Sequence, residues 1–366
     1  MIIKKMGRRS FLKLAAVAGV AVGTPLYEFM EWRVTSVRAQ AKQLVAGYSN
    51  NSLSHSWCAQ GKDTVDYFAK LMNIKIDWRD QAGVPADQLA IFNTFAVNAK
   101  QYDFFGVQPV SIGTLVEPIT TLIKAGKPVV DIDTLIAPLK QQDAMGVLTF
   151  TSPDNIVLAE GVCNALVAKI GGKGSVAHIG GDPGHSGAQG RGKGFHNVFD
   201  PLVASGAVKI VEDQPANWLA DKATALTETF LTKYPDLVAI FYDNDDMAIP
   251  GLKAVQDAKR DKTCFVGGLD AMPEAVKLVA DGKLTATARN SSCRVHGWSV
   301  IAGSWAATIG LDKAKGQIPS WIYADGAIVT APEPIDPKLA DTPWLVKALG
   351  KGTAESQLWV EANFMG

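Results

Sequence analysis

Histidine and cysteine are scarce in this chain of 366 residues, which contains five of the first and four of the second. No two histidines stand four residues apart around a general base, which argues against a zinc hydrolase. Four cysteines allow three disulfide pairings, and buried free thiols are an equal alternative. The cysteines, which match no zinc spacing, are Cys58, Cys163, Cys264 and Cys293. We therefore predict no metal and no cofactor.

Long apolar runs are missing as well. The run Leu14–Val22 is about half of the roughly 20 residues that a bilayer span requires. Paired arginines, Arg8 and Arg9, precede it, and Ala39–Ala41 supplies the small residues that a signal peptidase needs. We expect residues 1–41 to be a twin-arginine signal peptide that directs the mature chain to the periplasm.

An excess of basic charge is also absent. The whole chain has 36 basic and 36 acidic residues, and residues 1–41 account for seven of the basic and two of the acidic ones. The remainder keeps 29 basic and 34 acidic residues, a net charge of −5. A chain with this charge gives no reason to expect nucleic acid as a partner.

From Lys42 onward, short apolar runs alternate with stretches of helical periodicity. One series runs to about Thr151 and a second begins there, with a helix predicted at Pro153–Ile170 and capped by Ser152. Unbroken βα alternation implies right-handed crossovers and parallel sheets. We therefore predict an α/β protein with two similar lobes, and a further strand at Trp321–Val329.

Three segments come close to catalytic or metal-binding motifs. Gly187–Lys193 fits seven positions of the phosphate-binding G-x-x-x-x-G-K motif, but the eighth is Gly194 instead of Ser or Thr. The same segment misses the G-x-S-x-G elbow, since the glycine after Ser186 is Gly187 and the position of the motif's second glycine is Ala188. Asp243–Asp246 lacks the glycine and closing glutamate of a calcium-binding EF-hand loop. We predict no catalytic residue.

Polar residues recur where predicted strands end. After the apolar strand Leu237–Phe241, Asp245 and Asp246 suit the N-cap and first turn of a helix. Asn244 is left at the carboxyl edge of the sheet, where open α/β sheets bind ligands. The strand-end residues are Asn51, Asp133, Asn244, Asp270 and Asn290, with Trp57 and Trp218 on the same edge.

These residue types suit a ligand with many hydroxyl groups. A carboxylate accepts two hydrogen bonds from neighbouring hydroxyls, and an amide donates one while accepting another. An aromatic ring covers the C–H side of a sugar. Any single such residue is more often a helix cap or a core residue. Seven on one edge, without a nucleophile–base pair, indicate a site that binds without chemistry.

Five stretches in one order connect this chain with a known family. They are Ser186–Phe195, Gln214–Trp218, Tyr242–Ala248, Gly267–Asp270 and Asp281–Thr287. Through them, the chain from about Lys42 to Val329 resembles the type I periplasmic sugar-binding proteins of ABC transporters, the ribose-binding-protein group.

The resemblance implies two Rossmann-like lobes with parallel sheets, joined by a hinge of three crossovers and closing on a ligand between them. The crossovers fall near Thr151, Arg289 and Tyr323. The implied lobes are residues 42–151 with 290–322 and residues 152–289 with 323–330, followed by a C-terminal tail, 331–366.

Residue roles also follow from the resemblance. The strand-end residues correspond to hydroxyl-binding positions and Trp218 to a ring-stacking aromatic, while Trp57 or His55 substitutes for the Pro-Phe-Phe of the first loop. Ribose binders have arginines where this chain has Thr134 and Gln189, so we expect two cations to be absent from the pocket. The full predicted ligand set is Asn51, Trp57, Asp133, Thr134, Gln189, Asn217, Trp218, Asn244, Asp270 and Asn290.

The resulting hypothesis is a soluble, monomeric, non-enzymatic receptor for a small neutral sugar, polyol or cyclitol. Its partners would be a membrane ABC permease and, as a further candidate, a chemoreceptor. The same fold binding a signalling molecule or an amide is the main alternative. A regulator of the lactose-repressor type would need a helix-turn-helix where residues 1–41 have a signal sequence, and an exported enzyme would need a catalytic pair.

Overall fold

The computed structural model describes residues 43–324, 326 and 328–330. The predicted signal peptide and C-terminal tail lie outside these residues. The first part of the chain contains, in order, β1 (Leu44–Ser49), α1 (Ser56–Leu71), β2 (Ile74–Trp78), α2 (Pro85–Val97), a 3-10 turn (Ala99–Gln101), β3 (Phe104–Val107), α3 (Val116–Lys124), β4 (Val129–Ile132), α4 (Leu139–Met145) and β5 (Thr149–Ser152).

The second part begins with a long helix and ends with two short strands. It contains α5 (Asn155–Ile170), β6 (Gly174–Gly180), α6 (Ser186–Ala204), β7 (Val208–Pro215), α7 (Ala220–Lys233), β8 (Leu237–Tyr242), α8 (Asp245–Asp257), β9 (Phe265–Gly267), α9 (Pro273–Ala280), β10 (Ala286–Ala288), α10 (Ser292–Ile309), α11 (Leu311–Lys315), β11 (Trp321–Tyr323) and β12 (Ile328–Thr330).

These strands form two six-stranded sheets. The first has the order β11-β5-β4-β3-β1-β2 and is parallel throughout. The second has the order β12-β10-β9-β8-β6-β7 and is parallel except for β12, which runs antiparallel to β10. The predicted α/β fold with two parallel sheets is confirmed. We call each sheet with its helices a lobe, the first and the second.

Helices cover both faces of each sheet. In the first lobe, α1 and α10 pack on one face, with Val65 and Val295 in the shared core, and α2 and α3 pack on the other. In the second lobe, α5 and α6 oppose α7, α8 and α9. Burial on both faces explains why strands such as β8 read as continuous apolar runs.

Two predicted elements differ in the structure. Thr149–Ser152 is a buried strand, β5, paired with β4 on one side and β11 on the other. Ser152 therefore does not cap α5; Asp154 does, since its carboxylate accepts hydrogen bonds from the amides of Ile156 and Val157. The single strand predicted at 321–329 is two strands, one in each sheet.

The chain passes between the sheets three times, after β5, after β10 and after β11. Of the two alternatives for the cysteines, the structure has the buried thiols, because none of the four forms a disulfide. Within the described ranges, no helix combines the length and hydropathy needed to cross a bilayer.

Candidate ligand-binding site

The carboxyl ends of the two sheets meet at one cleft. Thr134, two residues after β4, contacts His185 Nε2 through its hydroxyl, and His185 precedes α6 of the second lobe. Next to it, the amide of Leu135 donates to Ser186 Oγ over 2.8 Å. These hydrogen bonds join the loop after β4 in the first lobe to the start of α6 in the second.

Asp133 lies at the centre of the first lobe's edge and is only 3 % exposed. Its oxygens accept hydrogen bonds from Gln108 Nε2 at 3.2 Å and from Asn290 Nδ2 at 3.3 Å. Burial raises the pKa of the Asp133 carboxyl, while the positive charge of Arg191 acts in the opposite direction. Both hydrogen-bond donors are neutral amides, so the acid keeps capacity to accept bonds from ligand hydroxyls.

Asp270 forms a buried ion pair on the second lobe's edge. Arg191 Nη2 donates to Asp270 Oδ1 at 3.1 Å, and both side chains are almost completely buried. Burial raises the pKa of the Asp270 carboxyl well above its usual range, against the effect of Arg191, and the carboxylates of Asp245, Asp246 and Asp133 raise it further.

Arg191 is held by three elements at once. Besides Asp270, its Nε donates to Asn155 Oδ1 at 2.9 Å and its Nη1 donates to the Asp243 carbonyl. The sequence predicted that two arginines are absent, at Thr134 and Gln189, and the structure places a different cation, Arg191, beside Asp270. Gln189, the residue predicted to line the pocket, is exposed instead and donates to the Pro183 carbonyl at 2.9 Å.

Helix periodicity explains the difference between these two residues. On α6 the buried positions are Gly187, Ala188, Arg191, Gly194, Phe195 and Phe199. Two residues correspond to about 200° of rotation, so Gln189 and Arg191 lie on opposite faces. The spacing of the motif glycines and Phe195 was the sequence signal that could have identified Arg191 as the buried member.

Trp218 lies beside this ion pair. Its indole packs so closely on Gly181 that a Cβ there would lie 2.2 Å from Cζ2. The guanidinium of Arg191 stands 5.5 Å from the ring centre, and the ring of His185 meets it edge-on at 5.1 Å. Asn217, which precedes it, is half-buried. Since protein groups already contact the indole on several sides, sugar stacking by Trp218 stays a prediction.

Four residues of the predicted ligand set have a left-handed backbone conformation. Asp133, Asn217, Trp218 and Asp270 have φ angles of 58°, 56°, 65° and 117°. Such conformations are uncommon outside glycine and concentrate at binding sites, where the surrounding structure enforces them. Half of the eight described non-glycine residues with positive φ thus belong to the predicted ligand set.

Asn244 combines two roles. It is the N-cap of α8, because its Oδ1 accepts a hydrogen bond from the Met247 amide at 2.9 Å. Asp245, which the sequence suggested as N-cap, lies in the first turn with Asp246. Capping leaves the Nδ2 group of Asn244 as the donor that it can offer a ligand.

Trp57 and Asn51 lie on the first lobe's side of the cleft. The Trp57 indole is buried in the core of that lobe and donates to the Asn290 carbonyl at 2.7 Å. It therefore links α1 to the segment between β10 and α10. Asn51 is 4 % exposed, and its carbonyl accepts from Gly83 N and Gln81 Nε2.

His185 is a site residue that the sequence did not indicate. Its Nδ1 accepts a hydrogen bond from the Gly187 amide at 3.1 Å, so in the neutral ring the proton lies on Nε2, towards Thr134. Burial, with the positive charges of Arg191 and His55, lowers the pKa of His185 to about 3. A neutral imidazole thus contacts Thr134, where ribose binders carry an arginine.

Two polar atoms of the cleft are buried and have no partner among the described residues: Asn290 Oδ1 and Trp218 Nε1. A buried donor or acceptor without a hydrogen bond costs roughly 1–3 kcal/mol of free energy. Each such atom in a native structure therefore needs a physical explanation. Asn290 Oδ1 can accept from a ligand hydroxyl and Trp218 Nε1 can donate to one. In the described part of the chain, no group of three or more His, Cys, Asp or Glu side chains could hold a metal ion.

Known proteins are similar to this chain in sequence. The profile of the periplasmic binding protein domain matches residues 46–302. The D-allose-binding periplasmic protein of Escherichia coli K12 is 28 % identical over 287 residues, which are 76 % of this chain and 89 % of that protein. The xylitol-binding protein of Mycolicibacterium smegmatis is 25 % identical over 233 residues, 63 % of each chain.

Solved structures of other proteins share the fold. An ABC transporter periplasmic solute-binding protein of Actinobacillus succinogenes 130z with bound D-allose superposes with a TM-score of 0.69 at 26 % identity, covering 79 % of this chain and 98 % of the other. A Bacillus halodurans C-125 protein with bound myo-inositol gives a TM-score of 0.71 at 18 % identity over 86 % and 99 % of the chains, which speaks for the fold alone.

The profile spans 257 residues, more than half of the chain, and includes all ten predicted ligand residues. It confirms the resemblance drawn from the sequence motifs and identifies a family of binding proteins, not of enzymes. This chain therefore belongs to the periplasmic binding protein family.

Proposed function

We propose that this chain is the solute receptor of an ABC importer and that it binds a small neutral sugar, polyol or cyclitol between its lobes. The observation that carries this proposal is the buried, unpartnered Oδ1 of Asn290 next to Asp133. Relatives with this fold bind D-allose, xylitol and myo-inositol, according to their names. All three ligands carry several hydroxyl groups and no charge.

The charges around the cleft support a neutral ligand. Arg191 is already paired with Asp270, and His185 is neutral. Asp133 adds an acid whose hydrogen-bond donors are amides. An anionic sugar would meet carboxylates without a free cation among these residues, whereas hydroxyl groups can both donate to Asp133 and accept from Asn244 Nδ2.

Calorimetric titration of the mature protein with pentoses, hexoses, alditols and inositols tests this proposal. We expect one or a few neutral compounds to bind, and charged analogues such as uronic acids or sugar phosphates to bind at least tenfold more weakly. Preference for an anionic sugar would contradict the proposal. Native mass spectrometry of undialysed protein would reveal a signalling molecule or an amide, the alternative ligand classes.

We also propose, from the sequence, export by the twin-arginine route, delivery of the ligand to a membrane permease, a monomeric state and the lobe boundaries given above. A chemoreceptor is a second candidate partner. Arg8→Lys together with Arg9→Lys should abolish export, as measured by cell fractionation. Unchanged periplasmic levels of the double variant would argue for a different export route.

A further inference from the structure

A carboxylate of the second lobe caps a helix of the first. Helix α1 begins at Ser56, and its N-cap residue, His55, makes no side-chain capping hydrogen bond. Asp246 supplies it from 190 residues away: its Oδ2 accepts from the Ser56 amide at 2.9 Å and its Oδ1 from the Ser56 hydroxyl at 2.6 Å.

The same carboxylate lies at the start of a second helix. Asp246 is in the first turn of α8, so it interacts with the positive ends of α1 and α8 together. Two helix N-termini, one from each lobe, thus share one negative charge. Charge-assisted hydrogen bonds of this kind are about twice as strong as neutral ones, and this pair spans the cleft.

We propose that Asp246 is a positioning residue for ligand binding, whose bonds to Ser56 stabilise the closed arrangement of the lobes. Opening the cleft would leave the first turn of α1 without this cap. The bonds also fix Trp57, the next residue, whose indole holds the Asn290 carbonyl. The proposal rests on the proposed function, since it assumes that the lobes separate to exchange a ligand.

The expected effect on binding follows from the loss of one helix cap. Removing such a cap corresponds to about a 3- to 30-fold change in an equilibrium constant. A ligand that binds the closed state loses affinity by the factor by which closure becomes less favourable. Since the hydrogen bonds between Asp246 and Ser56 hold the lobes closed, most of the loss of affinity should appear as faster ligand dissociation.

The test compares Asp246→Ala, Asp246→Asn and Ser56→Ala with the wild type. Asp257→Asn is the matched control, because Asp257 ends the same helix, is exposed and pairs only with Lys253 among the described contacts. Calorimetry and stopped-flow fluorescence with the tightest-binding panel compound should show weaker binding and faster dissociation for Asp246→Ala. Ser56→Ala, which keeps the backbone bond, should show a smaller effect, and Asp257→Asn none.

A double-mutant cycle and scattering complete the test. Ser56→Ala combined with Asp246→Ala should bind no more weakly than Asp246→Ala alone, because both remove the same interaction. In ligand-free protein, small-angle X-ray scattering should give a larger radius of gyration for Asp246→Ala than for the wild type or Asp257→Asn.

If Asp246 is only a structural cap, its variants will have a lower melting temperature but unchanged affinity, dissociation rate and radius of gyration, and that result overturns the proposal. Full additivity of Ser56→Ala and Asp246→Ala in the double-mutant cycle overturns it as well. Should no panel compound bind, the proposed function fails and the scattering comparison alone decides the role of Asp246. Ser56→Ala keeps the test valid if the Asp246 variants do not fold, because it removes one hydroxyl only.

Discussion

At the scale of single residues, the site depends on how buried carboxylates are compensated. Asp270 has the guanidinium of Arg191, whereas Asp133 has the amides of Gln108 and Asn290. A buried charge that loses its partner is costly, since the surrounding protein cannot replace water. The two acids should therefore respond differently when their partners are changed.

Asp270→Ala should weaken ligand binding at least tenfold, since it removes a charge-assisted acceptor and leaves Arg191 buried without its carboxylate. The same change should lower the free energy of unfolding by about 3 kcal/mol. Calorimetry and urea denaturation measure the two effects. Asp270→Asn, which keeps one oxygen acceptor, separates them: if it binds ligand as tightly as the wild type, Asp270 does not contribute through its charge.

Sequence reasoning at this scale identified residue types better than residue orientations. The strand-end positions of Asp133 and Asp270 could be predicted, because parallel strands deliver their carboxyl ends to one edge. The orientation of Gln189 depended on the phase of α6, and His185 acts through a capping bond that no periodicity encodes. Both bonds are local to the second lobe, whereas the contact of His185 with Thr134 forms only where the lobes meet.

At the scale of secondary-structure elements, one histidine connects three strands and a helix. His178 on β6 donates from Nδ1 to Asp213 on β7 over 2.8 Å and from Nε2 to Asp243, directly after β8, over 3.0 Å. Its ring is stacked on Phe195 of α6 and on Phe241 of β8. Asp243 also accepts from the Gly181 amide, so this network supports the loops that carry Trp218 and Asn244.

The hydrogen bonds of His178 should make the free energy of unfolding fall as the solution becomes alkaline. Burial lowers the pKa of His178, but Asp243 and Asp213 outweigh it and raise the pKa to about 9. A folded pKa above the unfolded value of about 6.5 means that the stabilisation is complete below pH 6.5 and is lost as pH rises towards 9. Between these values the free energy of unfolding should fall by up to about 3 kcal/mol.

Urea denaturation between pH 6 and pH 10 measures this slope. In His178→Gln most of it should disappear. His196→Gln is the control, because His196 shares Asp213 but its side chain is 40 % exposed, and most of the slope should remain. A slope that is equally steep in His178→Gln and the wild type would assign the alkaline loss to other groups.

Element boundaries show where local sequence signals are weak. Strand β5 contains Thr149, Thr151 and Ser152, and its buried position comes from pairing with β4 and β11, which sequence alone does not reveal. The strand predicted at 321–329 was divided for the same reason, since one half pairs in each sheet. Long apolar strands such as β8 were predictable because burial on both faces leaves a continuous pattern.

At the scale of the whole molecule, two groups of hydrogen bonds hold the lobes together. In the first, the Asp246 carboxylate accepts from the Ser56 amide and hydroxyl. In the second, the Ile112 amide donates to the Gly184 carbonyl at 3.0 Å, and Leu135 N donates to Ser186 Oγ. Because the ligand-contacting residues proposed here belong to both lobes, binding and lobe closure should be coupled.

This coupling predicts that a bound ligand stabilises the folded protein as a unit. At a free ligand concentration of one hundred times Kd, mass action adds about 2.7 kcal/mol to the free energy of unfolding. The melting temperature in scanning calorimetry should rise by several degrees with the binding compound, and a non-binding sugar of similar size should leave it unchanged. Asp270→Ala should show at most about half of this rise at the same concentration, because a Kd at least tenfold higher reduces the added free energy to about 1.4 kcal/mol or less. An equal rise in Asp270→Ala and the wild type would mean that the stabilising ligand binds outside the cleft, since the buried ion pair of Asp270 with Arg191 is part of the cleft.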